Sequence, residues 1–291
     1  MPAISIGNFD GVHLGHQALV ARAGAGMTAV TFDPTPNEVL GLPVPARIMG
    51  PRRRDHFLRA AGAADVLTLA TDRATLGLAP EEFLRWLRDR VPFRRIVEGP
   101  DFRFGHRRSG DVTTLQELGP KLGFTVEVVP EVEASLHSGH VVAARSTTVR
   151  WMIQHGRVAD AERLLGRPHE LAGAVEQGDQ RGRTIGFPTA NLACDGCLLP
   201  ADGVYAATAH LDDGRAFVAA VSVGIKPTFT GARRTVEAHL IGFDGAIGEY
   251  GWPLRLELRR WVRDQVRFTK VDDLIRQIGA DTARCREELH A

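Results

Sequence analysis

The sequence predicts an α/β fold in its first part, a Rossmann-like parallel sheet, followed by a mainly antiparallel β-barrel closed by a terminal helix. Three observations predict it. As far as Leu165, short apolar runs alternate with helical stretches, the order that builds βαβ units. After Pro168 the runs become closely spaced, strand-like and separated by turn residues, which suits an antiparallel barrel. From Asp272 to Leu289 the chain reads as one long helix, with Leu274, Ile278 and Thr282 on one stripe. The boundary near Pro168 divides the chain into residues 1–168 and 169–291.

In the first part, Ala3 to Ile6 is an apolar strand, and a helix runs from about His13 to Ala23. Met27 to Phe32 is the second strand, stopped by Asp33-Pro34-Thr35-Pro36, which can continue neither a ladder nor a helix. Arg52 to Ala61 reads as a helix and Asp65 to Leu69 as the third strand. A helix then opens at Pro80-Glu81-Glu82, a proline at the first helical position followed by acids. Arg95 to Val97 is the fourth strand, Asp111 to Leu122 a helix, and Phe124 to Val129 the fifth strand. Helices from Thr147 to His155 and Ala159 to Leu165 complete this part. In the second part the strands are Leu171 to Val175, Gly203 to His210, Ala216 to Val223, Thr235 to Leu240 and Leu254 to Val262.

Composition narrows the function classes. Hydrophobic residues make up 44% and charged residues 24%, an ordinary globular balance with material for a packed core. Lysine and arginine number 36 against 35 aspartates and glutamates, so no overall basic field points to nucleic acid. No stretch approaches the roughly 18 apolar residues of a membrane span, and no basic-then-apolar leader precedes the first strand. The expectation is a cytoplasmic protein with neither nucleic-acid nor membrane partners. Of the cysteines, Cys194 and Cys197 form a CxxC without the second ligand pair that zinc needs, and Cys285 is alone, so no disulfide framework is implied.

Phosphate chemistry is written at two places. The first strand runs into Gly7-Asn8-Phe9-Asp10-Gly11, and the helix after it carries His13 and His16. Glycines let backbone approach a ligand, and a helix start offers unpaired N–H groups and a positive dipole end to an anion. Residues three apart share a helix face, so both imidazoles point the same way and can donate to phosphate oxygens. Two further stretches belong near this site: the loop Glu98 to Asp111, with Asp101 and Arg103, and the helix start Ser146-Thr147 with Arg150 one turn on. In an open parallel sheet, ligands bind beyond the carboxyl ends of the strands, where the first loop and the Glu98 loop lie.

The second place is Gly178 to Asn191. Gly182, Arg183 and Gly186 offer backbone donors and a cation to phosphates; Phe187 and Pro188 follow; Thr189 and Asn191 supply oxygens suited to Mg²⁺. Glu237, in the strand Thr235 to Leu240, is placed to take a proton from an attacking hydroxyl, although a strand glutamate otherwise simply faces solvent.

Four motifs, in order, resemble the prokaryotic bifunctional riboflavin kinase/FAD synthetase (FMN adenylyltransferase) family over essentially the whole chain. They are Gly-Asn-Phe-Asp-Gly-Val-His-Leu-Gly-His, Asp-Phe-Arg-Phe-Gly, Ser-Thr-x-x-Arg, and Gly-Arg-Thr-Ile-Gly-Phe-Pro-Thr-Ala-Asn with Thr-Val-Glu-x-His. The resemblance implies that the barrel phosphorylates riboflavin to FMN with ATP, Thr189 and Asn191 holding Mg²⁺ with the nucleotide and Glu237 acting as base. It implies that the first part transfers AMP from ATP to FMN, giving FAD and pyrophosphate, with His13, His16 and Arg150 stabilising the transferring and leaving phosphates. Riboflavin, FMN and FAD are then substrates and products rather than prosthetic groups. The chain departs from the family at Thr35, where His is frequent, at Ala143, where Arg is usual, and in the turn after Phe243. Two alternatives stay open at this level: a kinase with a weakened adenylyltransferase half, and a non-catalytic flavin-binding regulator. Self-association is left open.

Overall fold

The computed structural model describes residues 2–178, 181–194, 196–228, 231–244 and 249–290. It contains two compact units: residues 1–46, 50–134 and 141–146 form the first, and residues 47–49, 135–140 and 147–291 the second.

In the first unit, β1 (Ala3–Ile6), β2 (Thr28–Phe32), β3 (Asp65–Leu69), β4 (Arg95–Glu98) and β5 (Thr125–Val128) pair in parallel in the order β3-β2-β1-β4-β5. The helices between them are α1 (Leu14–Ala23), α2 (Pro36–Leu40), α3 (Pro51–Ala60), α4 (Arg73–Leu76), α5 (Pro80–Arg88) and α6 (Val112–Leu122). α5 shows how the sequence dictates its element: Pro80 opens it, Glu81 and Glu82 lie at the positive dipole end, and Arg85 and Arg88 at the negative one. Its buried Phe83, Leu84 and Leu87 share one face and join Ile4, Ile6, Val30, Ile96 and Leu115 in the core. Full burial of each such side chain stabilises by about 1.5–3 kcal/mol.

Two short helices were not expected from periodicity because neither reaches two turns. α4 is capped by Asp72, whose carboxylate accepts from Thr75 N at 2.7 Å. At the start of α2, Glu38 accepts from both Thr35 N (2.6 Å) and Thr35 Oγ1 (2.8 Å), so Thr35 serves a helix start where the family often has His. A two-stranded ribbon, β6 (Glu133–Ser135) with β7 (Val141–Ala143), also escaped the sequence reading.

α7 (Ser146–Gln154) and α8 (Val158–Leu165) precede the barrel. The barrel strands are β8 (His169–Glu176), β9 (Ala190–Cys194), β10 (Gly203–Leu211), β11 (Ala216–Thr228), β12 (Gly231–Leu240) and β13 (Pro253–Arg263), closed in the order β10-β11-β12-β9-β8-β13. A single turn, α9 (Arg181–Thr184), lies between β8 and β9. Inward residues alternate along each strand: Leu171 and Val175, Val221 and Val223, Val236 and Ala238, Leu254, Leu256 and Leu258 fill the interior. α10 (Val271–His290) covers the outside through Cys285 and Leu289, against Val204, Ala206, Val218, Ala220 and Val262. Arg263 at the end of β13 clasps buried Asp281 of α10 in a bidentate pair, Nε and Nη2 to the carboxylate at 2.8–3.1 Å. The expected α/β sheet, antiparallel barrel and terminal helix are all present. Among the described residues no helix is long and apolar enough to cross a membrane.

Candidate active sites

The strand order of the sheet reverses between β1 and β4, so the loops after these two strands border one crevice. β1 stays paired with β2 as far as Ile6↔Val30, but with β4 only to Ile4↔Ile96. Beyond that point a side chain replaces the backbone ladder: Glu98 Oε1 accepts from Ile6 N at 2.5 Å and from Ser5 Oγ at 3.4 Å. Glu98 is 2% exposed. Burial pushes its pKa well above the ordinary glutamate value, outweighing the two hydrogen bonds that favour the carboxylate. Burial thus favours the protonated acid at the point where the two strands part.

The loop after β1 holds unusual backbone. Phe9 (φ 50°), Gly11 (φ 86°) and Val12 (φ 41°) occupy the left-handed region, which costs a bulky or β-branched residue about 1–3 kcal/mol. Packing and hydrogen bonds enforce it: Phe9 and Val12 are 2% and 0% exposed, and Gln17 Nε2 donates to the Val12 carbonyl at 2.9 Å. Ser146 Oγ donates to the Asp10 carbonyl at 2.7 Å, which ties the start of α7 to this turn.

His13 is the N-cap of α1 and is buried. Its ring stacks on His16 with centroids 3.7 Å apart, and Phe9 meets His16 edge-on at 5.2 Å. Gly15 makes this possible, since a Cβ there would lie 3.1 Å from both the His13 ring and the Ala144 carbonyl. The glycine between the histidines thus relieves a tight contact, which the sequence reading overlooked.

In the loop after β4, Phe104 and Gly110 exchange backbone hydrogen bonds of 3.0 and 2.9 Å and close a small loop. Its expected binding residues are engaged in ion pairs. Arg103 Nη1 reaches Asp111 at 2.8 Å, and Asp101 receives Arg145 at 2.8 Å. Arg145 also pairs with Glu131. Gly7 and Asn8 continue directly from β1, and Gly7 N donates to the Val30 carbonyl at 2.9 Å. Thr147 is exposed and Arg150 half-buried on α7. That helix starts in the first unit and continues in the second.

The barrel site is built from the loop between β8 and β9. Asp179 and Gln180 of that stretch lie outside the described residues. Phe187 N donates to the Gly182 carbonyl at 2.9 Å, turning the segment back on itself. Gly182 is required by close approach, since a Cβ there would lie 2.3 Å from the Phe187 carbonyl, and the Asn191 carboxamide lies over Gly178, 2.1 Å from where a Cβ would be. Gly186 (φ 85°) needs its left-handed conformation. His239 Nδ1 donates to the Pro188 carbonyl at 2.8 Å and meets Phe187 edge-on at 5.4 Å, fixing the turn over β12.

Thr189 and Asn191 line one cavity with Gly178, Arg183 and Pro188, together with Ala238, Leu240, Phe243, Tyr250 and Trp252. Glu237 pairs in register with Asn191 on one side and Ser222 on the other. It therefore shares the outer barrel face with them, opposite inward Val236 and Ala238. Asn191 belongs to both the cavity and this face. Sequence reasoning missed the aromatic residues of the cavity, Phe243, Tyr250 and Trp252, which follow β12. It counted His239 only as part of a motif and gave it no role; strand alternation puts it on the face of Glu237.

Among the described residues no cluster of three or more histidine, cysteine or acidic side chains could hold a metal. The donors at Thr189 and Asn191 are neutral oxygens, a set that fits Mg²⁺ arriving with phosphate oxygens rather than a preformed metal cage. Cys194 ends β9, and Cys285, on the inner face of α10, is buried against the barrel.

Residues 2–142 match the FAD synthetase family model and residues 165–289 the riboflavin kinase model. The bifunctional riboflavin kinase/FMN adenylyltransferase of Escherichia coli (strain K12) is 35% identical over 295 residues, covering 98% of this chain and 91% of that one. The chain belongs to the bifunctional riboflavin kinase/FMN adenylyltransferase family. The relative from Haemophilus influenzae is 33% identical, over 96% of this chain and 91% of its own. A solved structure described as a macrolide-efflux protein from Streptococcus pneumoniae is 30% identical, with a TM-score of 0.87 over 98% of this chain and 93% of that one. The His13/His16 crevice falls within the FAD synthetase match, and the Thr189–Asn191–Glu237 site within the riboflavin kinase match. Ser146, Thr147 and Arg150 fall between the two.

Proposed function

We propose that this protein makes FAD in two ATP-dependent steps, phosphorylating riboflavin to FMN in residues 169–291 and adenylylating FMN in residues 1–168. The observation that carries the reading is the order of the two family matches, FAD synthetase over residues 2–142 and riboflavin kinase over residues 165–289, each spanning one set of phosphate-suited residues.

In the kinase step, ATP occupies the cavity with its phosphates toward Arg183 and the Gly182–Gly186 backbone. Thr189 and Asn191 hold Mg²⁺ with the nucleotide; the ion, when bound, neutralises charge on the phosphates and orients the transferred group. Glu237, on the neighbouring strand beside Asn191, takes the proton of the riboflavin 5′-hydroxyl as that oxygen attacks the γ-phosphorus. Asn191 spans the cavity and the outer face, so donor and acceptor meet at one residue.

In the adenylyl step the nucleophile is the FMN phosphate, already anionic, so no carboxylate base is needed. An FMN oxygen attacks the α-phosphorus and pyrophosphate leaves. His13 and His16 donate to the transferring and leaving phosphates, and Gly7 to Gly11 and the start of α1 supply backbone donors. Asp101, Arg103 and Ser146 border the nucleotide. Positioning and electrostatics carry such chemistry. We place the protein in the cytoplasm, acting on small molecules rather than on nucleic acid or membrane.

The test is to give purified protein riboflavin, ATP and Mg²⁺ and to separate the flavins by chromatography. Sequential appearance of FMN and FAD is expected. FMN without FAD would favour the kinase with a decayed first half; no product would leave only a flavin-binding regulator.

A further inference from the structure

The outer barrel face beside Glu237 carries a polar strip that the kinase step leaves unused. Ser222 of β11 pairs in register with Glu237 and Gly224 with Thr235. These four residues share the face opposite inward Val221, Val223 and Val236. Gln265, just beyond β13, lays its carboxamide along the strip. Its Nε2 donates to Ser222 Oγ at 3.1 Å. A Cβ on Gly224 would fall 2.0 Å from Nε2 and 2.1 Å from Oε1, so the amide fills the space that any side chain at 224 would take. The Arg263–Asp281 clasp fixes the chain two residues before Gln265.

The order of features along the strands gives this amide a direction. The nucleotide cavity is lined by Ala238 and Leu240, toward the end of β12. Asn191 and Glu237 come next, and the Gly224–Thr235 pair lies two residues further from the cavity. Two strand residues span about 6–7 Å. A hydroxyl held between Glu237 and a phosphoryl donor in the cavity leaves the rest of its molecule running over Ser222 and Gln265. A carboxamide carries both a donor and an acceptor, which matches a second hydroxyl a few carbons along a polyol chain.

We propose that Gln265, seated by Ser222 and Gly224, is a positioning and specificity residue that hydrogen-bonds a ribityl hydroxyl of the phosphoryl acceptor and so sets the terminal hydroxyl at Glu237. This rests on the assignment of the barrel to riboflavin phosphorylation. Steady-state kinetics of the full chain test it with Gln265→Ala and Gly224→Ala, the second keeping Gln265 but displacing its amide with a methyl group. Loss of one neutral hydrogen bond is expected to raise KM for riboflavin about three- to tenfold in either variant, with KM for ATP unchanged. The double variant should be no worse than either single one, because both remove the same contact. Wild type should lose a similar factor toward flavins lacking one ribityl hydroxyl, and Gln265→Ala should not distinguish at least one of these from riboflavin. Unchanged riboflavin KM in both variants of an active kinase, equal rises for ATP and riboflavin, or additive effects would overturn the role of Gln265 alone. A wild-type protein unable to phosphorylate riboflavin would overturn the underlying assignment as well.

Discussion

Replacing Glu98 by glutamine tests the reading of the β1–β4 crevice at its base. In the native chain the Glu98 acid is buried and accepts from Ile6 N and Ser5 Oγ, and burial raises its pKa well above the ordinary 4.5. A raised acid keeps its proton when folded and releases it when unfolded. Its contribution is therefore fully present below the unfolded pKa and is lost as pH climbs toward the folded one, at about 1.4 kcal/mol per pH unit. A glutamine at this position would keep an acceptor oxygen for Ile6 N and has no proton to lose, so the Glu98→Gln variant should gain on wild type as pH rises from 4.5 toward the raised folded value and level off beyond it. Glu98→Ala, by contrast, leaves a buried N–H unpaired, at about 1–3 kcal/mol, and adds a cavity. The assay is urea unfolding at several pH values, followed through Trp86, the one tryptophan of the first unit. Parallel stability curves for wild type and Glu98→Gln would refute a raised Glu98 acid.

Three other outcomes are expected. His16→Ala should lower FAD formation from FMN about 10²–10³-fold, the usual effect of losing a donor to transition-state charge, and leave FMN formation from riboflavin intact; flavin chromatography reads both. Glu237→Ala should do the reverse, lowering riboflavin phosphorylation about 10²–10⁴-fold while added FMN is still converted to FAD. His169, buried at the start of β8 with Nε2 donating to the Leu198 carbonyl at 2.8 Å, has its pKa lowered by burial from 6.5 to about 4. Its neutral form stabilises the fold above pH 6.5, and that contribution fades as pH falls toward about 4. The stability gap between wild type and His169→Asn should therefore narrow by on the order of 3 kcal/mol across this window in urea titrations.

Much of the fold was legible because it rests on local signals. Asp65 to Leu69 and Ala3 to Ile6 are bounded by turn residues and appear at those limits, and Pro80 with two acids marks α5 from its first residue. What escaped was short or nonlocal. α4 and α9 are single turns, and β9 is hidden inside the glycine-rich loop that precedes it, because Thr189 and Asn191 read as ligands before they read as a strand edge.

The site divides in the same way. By itself the sequence singled out the residue types proposed to carry the chemistry: the histidine pair at a helix start, the glycine-arginine turn before Thr189 and Asn191, and Glu237 on a strand. These are set by spacing along the chain, which the sequence records directly. Only tertiary structure decided which residues meet across it. Asp101 and Arg103 are taken up by Arg145 and Asp111. Glu98 stands in for a missing ladder bond, and Gly15 admits the Ala144 carbonyl. Gln265 comes to rest on Gly224 and Ser222, next to Glu237 in register. Each of those contacts depends on register, strand order and the room left by a missing Cβ, which arise only when the sheet and the barrel close.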